Sequence, residues 1–198
     1  MRRRTTGAVP GMAATIQGLT ALADGDTRLA MAKSGAPAGR RKHTPRASRV
    51  ETEQLVLPGL TNTHNTIFGG MLMQWIDIAA GIAAARHASG PVVTASMDRL
   101  HFLHPIHLGE VVTVQAQVNY AGTTSMEVGV RVMAEDQSAR GRRQTTRAFL
   151  TFVAVDENGR PRPVPPLSLE TAVDRRRFAD ARVRRAVRLR EVRAMKHA

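Results

Sequence analysis

Cysteine is absent from the 198 residues. That excludes disulfides, thiolate nucleophiles and Cys-ligated zinc, and it suits a reducing cytoplasm without proving one. Aromatic residues are few, with one Trp, one Tyr and five Phe, so the core has to be aliphatic. No Gly-x-Ser-x-Gly elbow occurs, and the serine-hydrolase route therefore lacks its signature. No apolar run reaches the roughly twenty uninterrupted residues of a membrane span. Acid is scarce overall, giving a net charge of +13, but the shortage is local. Residues 1–50 hold ten Lys/Arg against two Asp/Glu, and 167–198 hold ten against four. Residues 51–166 hold nine against ten. A near-neutral body with basic ends does not read as a nucleic-acid-binding domain.

Three segments follow from that distribution. Residues 1–49 are rich in Gly, Ala, Arg, Thr and Ser without sustained periodicity, and they read as a basic, disordered extension. Its start resembles an export signal, but Gln and Gly break the weakly apolar "GMAATIQGLTALA", which argues against export. Met12 and Met31 are candidates for an alternative start, an expectation from the sequence alone. Residues 50–166 form the folded body. Residues 167–198 read as an Arg-rich helix with a ragged apolar stripe of Val173, Phe178, Val183, Val187 and Leu189. Such a helix is expected to be solvated and loosely docked, with weak contact to anionic lipid or nucleic acid as the alternative. No aromatics alternate with its arginines as base stacking requires, so no specific nucleic-acid partner is expected.

Within the body the pattern is strand, helix, then four strands. "VETEQLVLP" (50–58) is a short strand. A helix runs from Phe68 to Ser89, opened by Gly-Gly and stopped by Ser-Gly-Pro. "VVTASMDRLHFL" follows as a strand. In "EVVTVQAQVNY", Val112, Val114, Ala116, Val118 and Tyr120 share a face at period two. "AGTT" is a turn, and "SMEVGVRVMAE" puts Met126, Val128, Val130 and Val132 inward. "DQSARGRRQ" is a loop, "TTRAFLTFVAV" a strand apolar on both faces and hence central, and "DENGRPRPVPP" a closing turn.

The helix is the unusual element. Between Met71 and Ala85 its only polar residues are Gln74 and Asp77. A helix apolar nearly all round is expected to be buried nearly all round. A carboxylate in the middle excludes a plain membrane span, and burying it unpaired costs several kcal/mol. Asp77 needs a partner or a task. One helix wrapped by an antiparallel sheet answers the pattern. "TNTHNTIFGGMLMQWIDIAAGIAAARH", "VVTASMDRLHFLHPIHLGEVV" and "LTFVAVDENGRPRPVP" together resemble the single-domain hotdog-fold acyl-CoA thioesterases. The shared marks are Asn-x-x-x-x-x-Phe-Gly-Gly, an Asp eight residues after the first Gly, and the Phe-x-x-Pro-Ile…Gly-Glu turn. The likeness covers about 50–165. It implies an α+β hotdog fold with about five strands around the long helix. It also implies hydrolysis of fatty acyl-CoA in the cytoplasm.

Gly69 and Gly70 stand at the helix start, where backbone N–H groups lack intrahelical acceptors and the dipole favours developing negative charge. They suit an oxyanion-type site for a thioester carbonyl, although a Gly pair would equally serve a tight approach beneath the sheet. Asp77 lies about 12 Å further along the axis at about 1.5 Å per residue, so one helix cannot bring both groups to one carbonyl. Two antiparallel helices can, with Asp77 of one protomer facing the glycines of its partner across a twofold axis. Asp77 would act as general base on water or as nucleophile. Asn62, His64, Asn65 and Thr66 precede the helix and could orient water or carbonyl, or serve only as turn and cap residues.

The resemblance implies a dimer, assembled to a hexamer or tetramer, and no cofactor beyond the coenzyme A of the substrate. It places the Tyr120–Ser125 turn, with Gly122, Thr123, Thr124 and Ser125, near the nucleotide end, and Thr94 and Ser96 nearer the acyl channel. Arg86, Arg131, Arg143 and Arg147 are candidate phosphate partners, with none singled out. His101, His104 and His107 are spaced by three, which alternates faces on a strand, so no metal site is expected. A hotdog hydratase or dehydratase and a non-catalytic acyl-CoA sensor are the competing readings.

Overall fold

The computed structural model describes residues 43–136 and 141–196. Thr44 opens the described chain by accepting the Ala47 N–H at 3.1 Å, starting a single turn, α1 (Pro45–Ser48). Ser48 is buried and accepts the Val118 N–H at 3.0 Å, pinning this turn to the sheet. Residues 43–49 therefore join the folded body rather than the extension, and the export and disorder expectations for 1–42 lie outside the described residues. Strand β1 (Val50–Leu55) is followed by a 3-10 turn at Pro58–Leu60 and the long helix α2 (Gly69–Ala88). Then come β2 (Val92–Met97), the two-residue β3 (His101–Phe102), β4 (Val111–Ala121), β5 (Ser125–Glu135), β6 (Arg142–Ala154) and the terminal helix α3 (Ala172–Lys196).

Every strand pair is antiparallel, in the order β1-β4-β5-β6-β2, with β3 continuing the β2 edge along β6. The sheet curls around α2, the hotdog arrangement that the resemblance implies. Val112, Val114, Ala116 and Val118 on β4, and Met126, Val128, Val130 and Val132 on β5, are all buried as their alternation predicts. β6 lies between β5 and the β2–β3 edge, and its buried residues on both faces follow from that position: Leu150 and Phe152 on one, Thr151 and Val153 on the other.

Local irregularities change four expectations. A bulge between Val118 and Tyr120 adds Asn119 to β4, so Tyr120 leaves the inward face and packs against Phe178 of α3, ring centroids 5.0 Å apart. The strand expected across 92–103 breaks at Asp98–Leu100. Arg142–Gln144, read as loop, belong to β6; the loop residues 137–140 lie outside the described residues. α2 is buried on one side only: Leu72, Ile76, Ala79, Ala80, Ala83 and Ala84 face the sheet, whereas Met73, Ile78 and Ile82 are 40%, 51% and 40% exposed in the single chain.

The terminal helix also docks differently from its apparent stripe. Val173, Val183 and Val187 point to solvent. Contact with the outer face of the sheet comes instead from Ala181, Phe178 and the arginines Arg184 and Arg188. Among the described residues no helix is long and apolar enough to cross a membrane.

Candidate active site

Asp77 sits half-buried on the exposed stripe of α2, with Met73 and Gly81 one turn to either side. Its partner within the chain is a hydroxyl: Thr94 Oγ1 on β2 donates to Asp77 Oδ1 at 2.9 Å. One carboxylate oxygen is thereby oriented, and the other has no hydrogen-bond partner among the described residues. Thr94 reaches α2 because it pairs with Phe152 on the inner face of the sheet. Ser96, expected beside it, does not. A bulge between Thr94 and Ser96 pairs Ser96 with Thr151 and turns it to the outer face, where it lines a crevice with Arg188 and Leu189 of α3.

The start of α2 is bare of side-chain caps. Phe68 is its N-cap residue without a capping side chain, and its carbonyl accepts the Met71 and Leu72 N–H groups at 2.9 and 3.2 Å. The Gly69 and Gly70 amides have no such acceptor among the described residues. A Cβ on Gly69 would make ordinary contact with the Phe102 ring at 3.7 Å, but on Gly70 it would come within 2.5 Å of the Phe68 ring. Two phenyl rings thus flank the free amides, and Phe68 is 59% exposed in the single chain.

The loop before the helix is organised by Asn62. Its Oδ1 accepts the His64 and Thr66 N–H groups at 2.9 and 3.3 Å, and its Nδ2 donates to Thr66 Oγ1 at 2.9 Å. Asn65 takes the left-handed conformation, φ 57°, that Asn tolerates well. Asn62 and Thr66 therefore brace this turn, and neither caps α2. The loop is tied by Phe68 N–H to Leu60 O at 2.9 Å, so its exposed side chains stand beside the Gly69–Gly70 end.

The Tyr120–Ser125 turn lies at the other end of the chain's own α2. Thr124 O accepts the Ala154 N–H, Thr123 O accepts that of Val164, and Arg162 from the same region donates to Ala88 O, the last helical carbonyl. Gly122, Thr123, Thr124 and Ser125 are thus remote from Gly69 and Gly70 in one protomer. Among the other candidates, Arg86 is occupied with Arg49 O and Arg143 with Glu110. His101, His104 and His107 are exposed. His87 is buried, and its Nε2 donates to Pro165 O at 2.9 Å. The sequence marked Thr94 only as a channel residue; its part as the hydroxyl that orients Asp77 depends on a bulge with no sequence signature.

The thioesterase superfamily model matches residues 64–139. The chain is 48% identical over 124 residues to an uncharacterized acyl-CoA thioester hydrolase of Bacillus subtilis, YkhA, covering 63% of this chain and 72% of that one. It is 37% identical to the acyl-CoA thioester hydrolase YciA of Salmonella typhimurium, covering 62% and 94%. Among solved structures, an acyl-CoA hydrolase of Bacillus cereus superposes with a TM-score of 0.74 at 36% identity, over 79% of this chain and 96% of the other. An acyl-CoA hydrolase of Staphylococcus aureus, solved with butyryl coenzyme A and coenzyme A, superposes with a TM-score of 0.70 at 38% identity, over 78% and 93%.

Proposed function

The chain belongs to the thioesterase superfamily, and on that premise we propose that it hydrolyses acyl-CoA to a free fatty acid and coenzyme A, with Asp77 at the reacting centre. The observation that carries this is the Asp77–Thr94 pair, a single oriented carboxylate on an otherwise apolar helix face. Spacing supports it. The Staphylococcus aureus hydrolase was solved as three single-alanine variants, of an asparagine, an aspartate and a threonine separated by fifteen and seventeen residues. Asn62, Asp77 and Thr94 have the same separations.

The unheld oxygen of Asp77 is available for either of two roles. As base it takes a proton from water while the water oxygen attacks the thioester carbon; as nucleophile it attacks that carbon itself. In both, the carbonyl oxygen gains negative charge that the Gly69 and Gly70 amides would stabilise. The C–S bond then breaks, and the CoA sulfur leaves as thiolate and is protonated; the nucleophilic route leaves a mixed anhydride on Asp77 that water then hydrolyses to the free acid. Because these amides are about 12 Å along the axis from Asp77, the site is composite and needs a second copy. The exposed Met73, Ile78 and Ile82 stripe around Asp77 is the surface on which that copy's α2 would pack, giving two equal sites per dimer. Two related thioesterase structures are described as hexameric, which supports further assembly of such dimers. A hydratase would need a histidine at the centre, and His87 is engaged at the far end of α2.

Complementation tests the composite site. Asp77→Asn is expected to lower kcat by about 10²–10⁴ with the fold kept. Gly70→Val is expected to be inactive because its side chain displaces Phe68 over the amides. Co-expressed at equal levels, the two should regain about a quarter of wild-type sites, since half the dimers are mixed and one of their two sites carries neither defect. If mixed dimers are verified and activity stays at zero, both groups serve one protomer's site and the composite reading fails.

A further inference from the structure

A buried carboxylate closes the segment between β3 and β4. Glu110 is 6% exposed, and its Oε2 accepts the His107 N–H at 2.8 Å and Arg143 Nη2 at 2.7 Å. The same guanidinium nitrogen donates to Pro105 O at 2.9 Å. Arg143 stands on β6, so a strand side chain and a buried carboxylate together fix the backbone at both Pro105 and His107. Burial presses the Glu110 carboxyl upward in pKa. The Arg143 guanidinium and the His107 amide outweigh it and hold the group below its ordinary value. Glu110 is therefore ionised at neutral pH. A buried ion pair returns little net stability after desolvation, so stability alone gives thin reason for this one.

The segment that the pair fixes is laid against the loop before α2. Ile67 N–H donates to Ile106 O at 2.8 Å, and Leu108 N–H donates to Asn65 O at 3.0 Å. Between them Thr66 and His107 form an antiparallel bridge. Ile106, 2% exposed, anchors the segment in the core. Asn65, Thr66 and Ile67 are thus held in register by Leu108, His107 and Ile106. Phe68 follows with its N–H already given to Leu60 O, and the Gly69 and Gly70 amides come next. A shift of residues 105–108 therefore passes to the start of α2 with little slack.

We propose that Glu110 and Arg143 are positioning residues: as a pair they set, through residues 105–108 and the loop at 65–67, where the Gly69 and Gly70 amides meet the thioester carbonyl. This rests on the hydrolase reading and extends it to two side chains that need not touch the substrate. Such amides stabilise charge that develops in the transition state, so misplacing them lowers kcat and leaves KM nearly unchanged. A misplacement of about 1 Å costs up to about a hundredfold.

Steady-state kinetics and hydrogen exchange on the intact protein test this. Glu110→Gln keeps an acceptor oxygen for both donors, and its kcat should stay within about threefold of wild type. Glu110→Leu removes the acceptor. Its kcat should fall about ten- to a hundredfold with KM within about twofold of wild type. Arg143→Met should behave alike, and it carries the test if Glu110→Leu does not fold. Arg143→Met combined with Glu110→Leu should lose no more than the worse single variant, because the two side chains act as one unit. Exchange read by mass spectrometry does not depend on turnover. In Glu110→Leu and Arg143→Met the amides of residues 62–68 should exchange about tenfold faster or more, with those of β4 and β5 unchanged. The proposal is overturned if these two variants keep wild-type kcat, or if Glu110→Gln loses as much as Glu110→Leu. It is equally overturned if residues 62–68 exchange as in the wild type, or if exchange rises equally along the chain. Wild-type hydrolysis is read first: its absence fails the Asp77 reading, whereas an active wild type with unaffected variants fails only the brace.

Discussion

Two helices cover the two faces of one sheet by opposite means. α2 docks through aliphatic side chains that are fully buried, and its one carboxylate is held by a hydroxyl. α3 docks largely through charge. Glu127 of β5, 1% exposed, accepts Arg184 at 2.7 and 3.2 Å and Arg188 at 2.7 Å, and Arg188 also reaches Asp98 at 2.7 Å. Apolar burial stabilises in proportion to area and tolerates small shifts. A buried ion pair returns little net energy after desolvation but penalises any wrong placement. The inner helix therefore carries the stability of the fold, and the outer helix is held in a specified position.

Leu72→Ala should break the first half of that contrast with the largest effect. It removes a fully buried side chain from α2, and a loss of about 2–5 kcal/mol in global unfolding free energy is expected by denaturant titration. A loss below 1 kcal/mol would show that α2 is not the main source of stability. Arg188→Met tests the other half. It leaves Glu127 with Arg184 alone, and it should expose α3 to limited proteolysis while global unfolding shifts by less than in Leu72→Ala. Equal global shifts for the two variants would mean that the helices are one cooperative unit.

The smallest effect concerns pH on the inner side. Burial lowers the pKa of His87, its hydrogen bond to Pro165 O pulls it partly back, and His43 lowers it further. Nε2 carries its proton towards the carbonyl, and the buried Nδ1 has no hydrogen-bond partner that would stabilise a second proton. The unfolded chain binds that proton near pH 6.5. Stability should be full above about pH 6.5 and fall on acidification below it, by at most about 1.4 kcal/mol per pH unit until the folded pKa is reached. Denaturant midpoints between pH 8 and 5 check this, and His87→Phe should flatten the slope relative to wild type.

The helix bounds were legible because Gly-Gly and Ser-Gly-Pro punctuate them, and the inner faces of β4 and β5 because alternation is unbroken from Val112 to Val118 and from Met126 to Val132. Asp77 stood out as a lone carboxylate in an apolar run. The contacts of α3 were not legible. A stripe counted on aliphatic residues selects Val183 and Val187, which face solvent, whereas the docking pair joins Arg184 to a glutamate 57 residues earlier. Such a contact has no local period. The exposed stripe of α2 was hidden for a different reason: an apolar residue reads the same in sequence whether its own chain or a second copy covers it.

The bulge in β2 has a consequence for how this chain tolerates change. The residue between Thr94 and Ser96 has no pairing partner across the sheet, and its side chain matters less than its presence. A scan that replaces Ala95 with each amino acid in turn should report a permissive position. Deleting it would hand Ser96 to the inner face and push its neighbours out of step, because strand register alternates with every residue. The information that Thr94 faces Asp77 is stored as a count of residues rather than as an identity, and only insertions and deletions can read it.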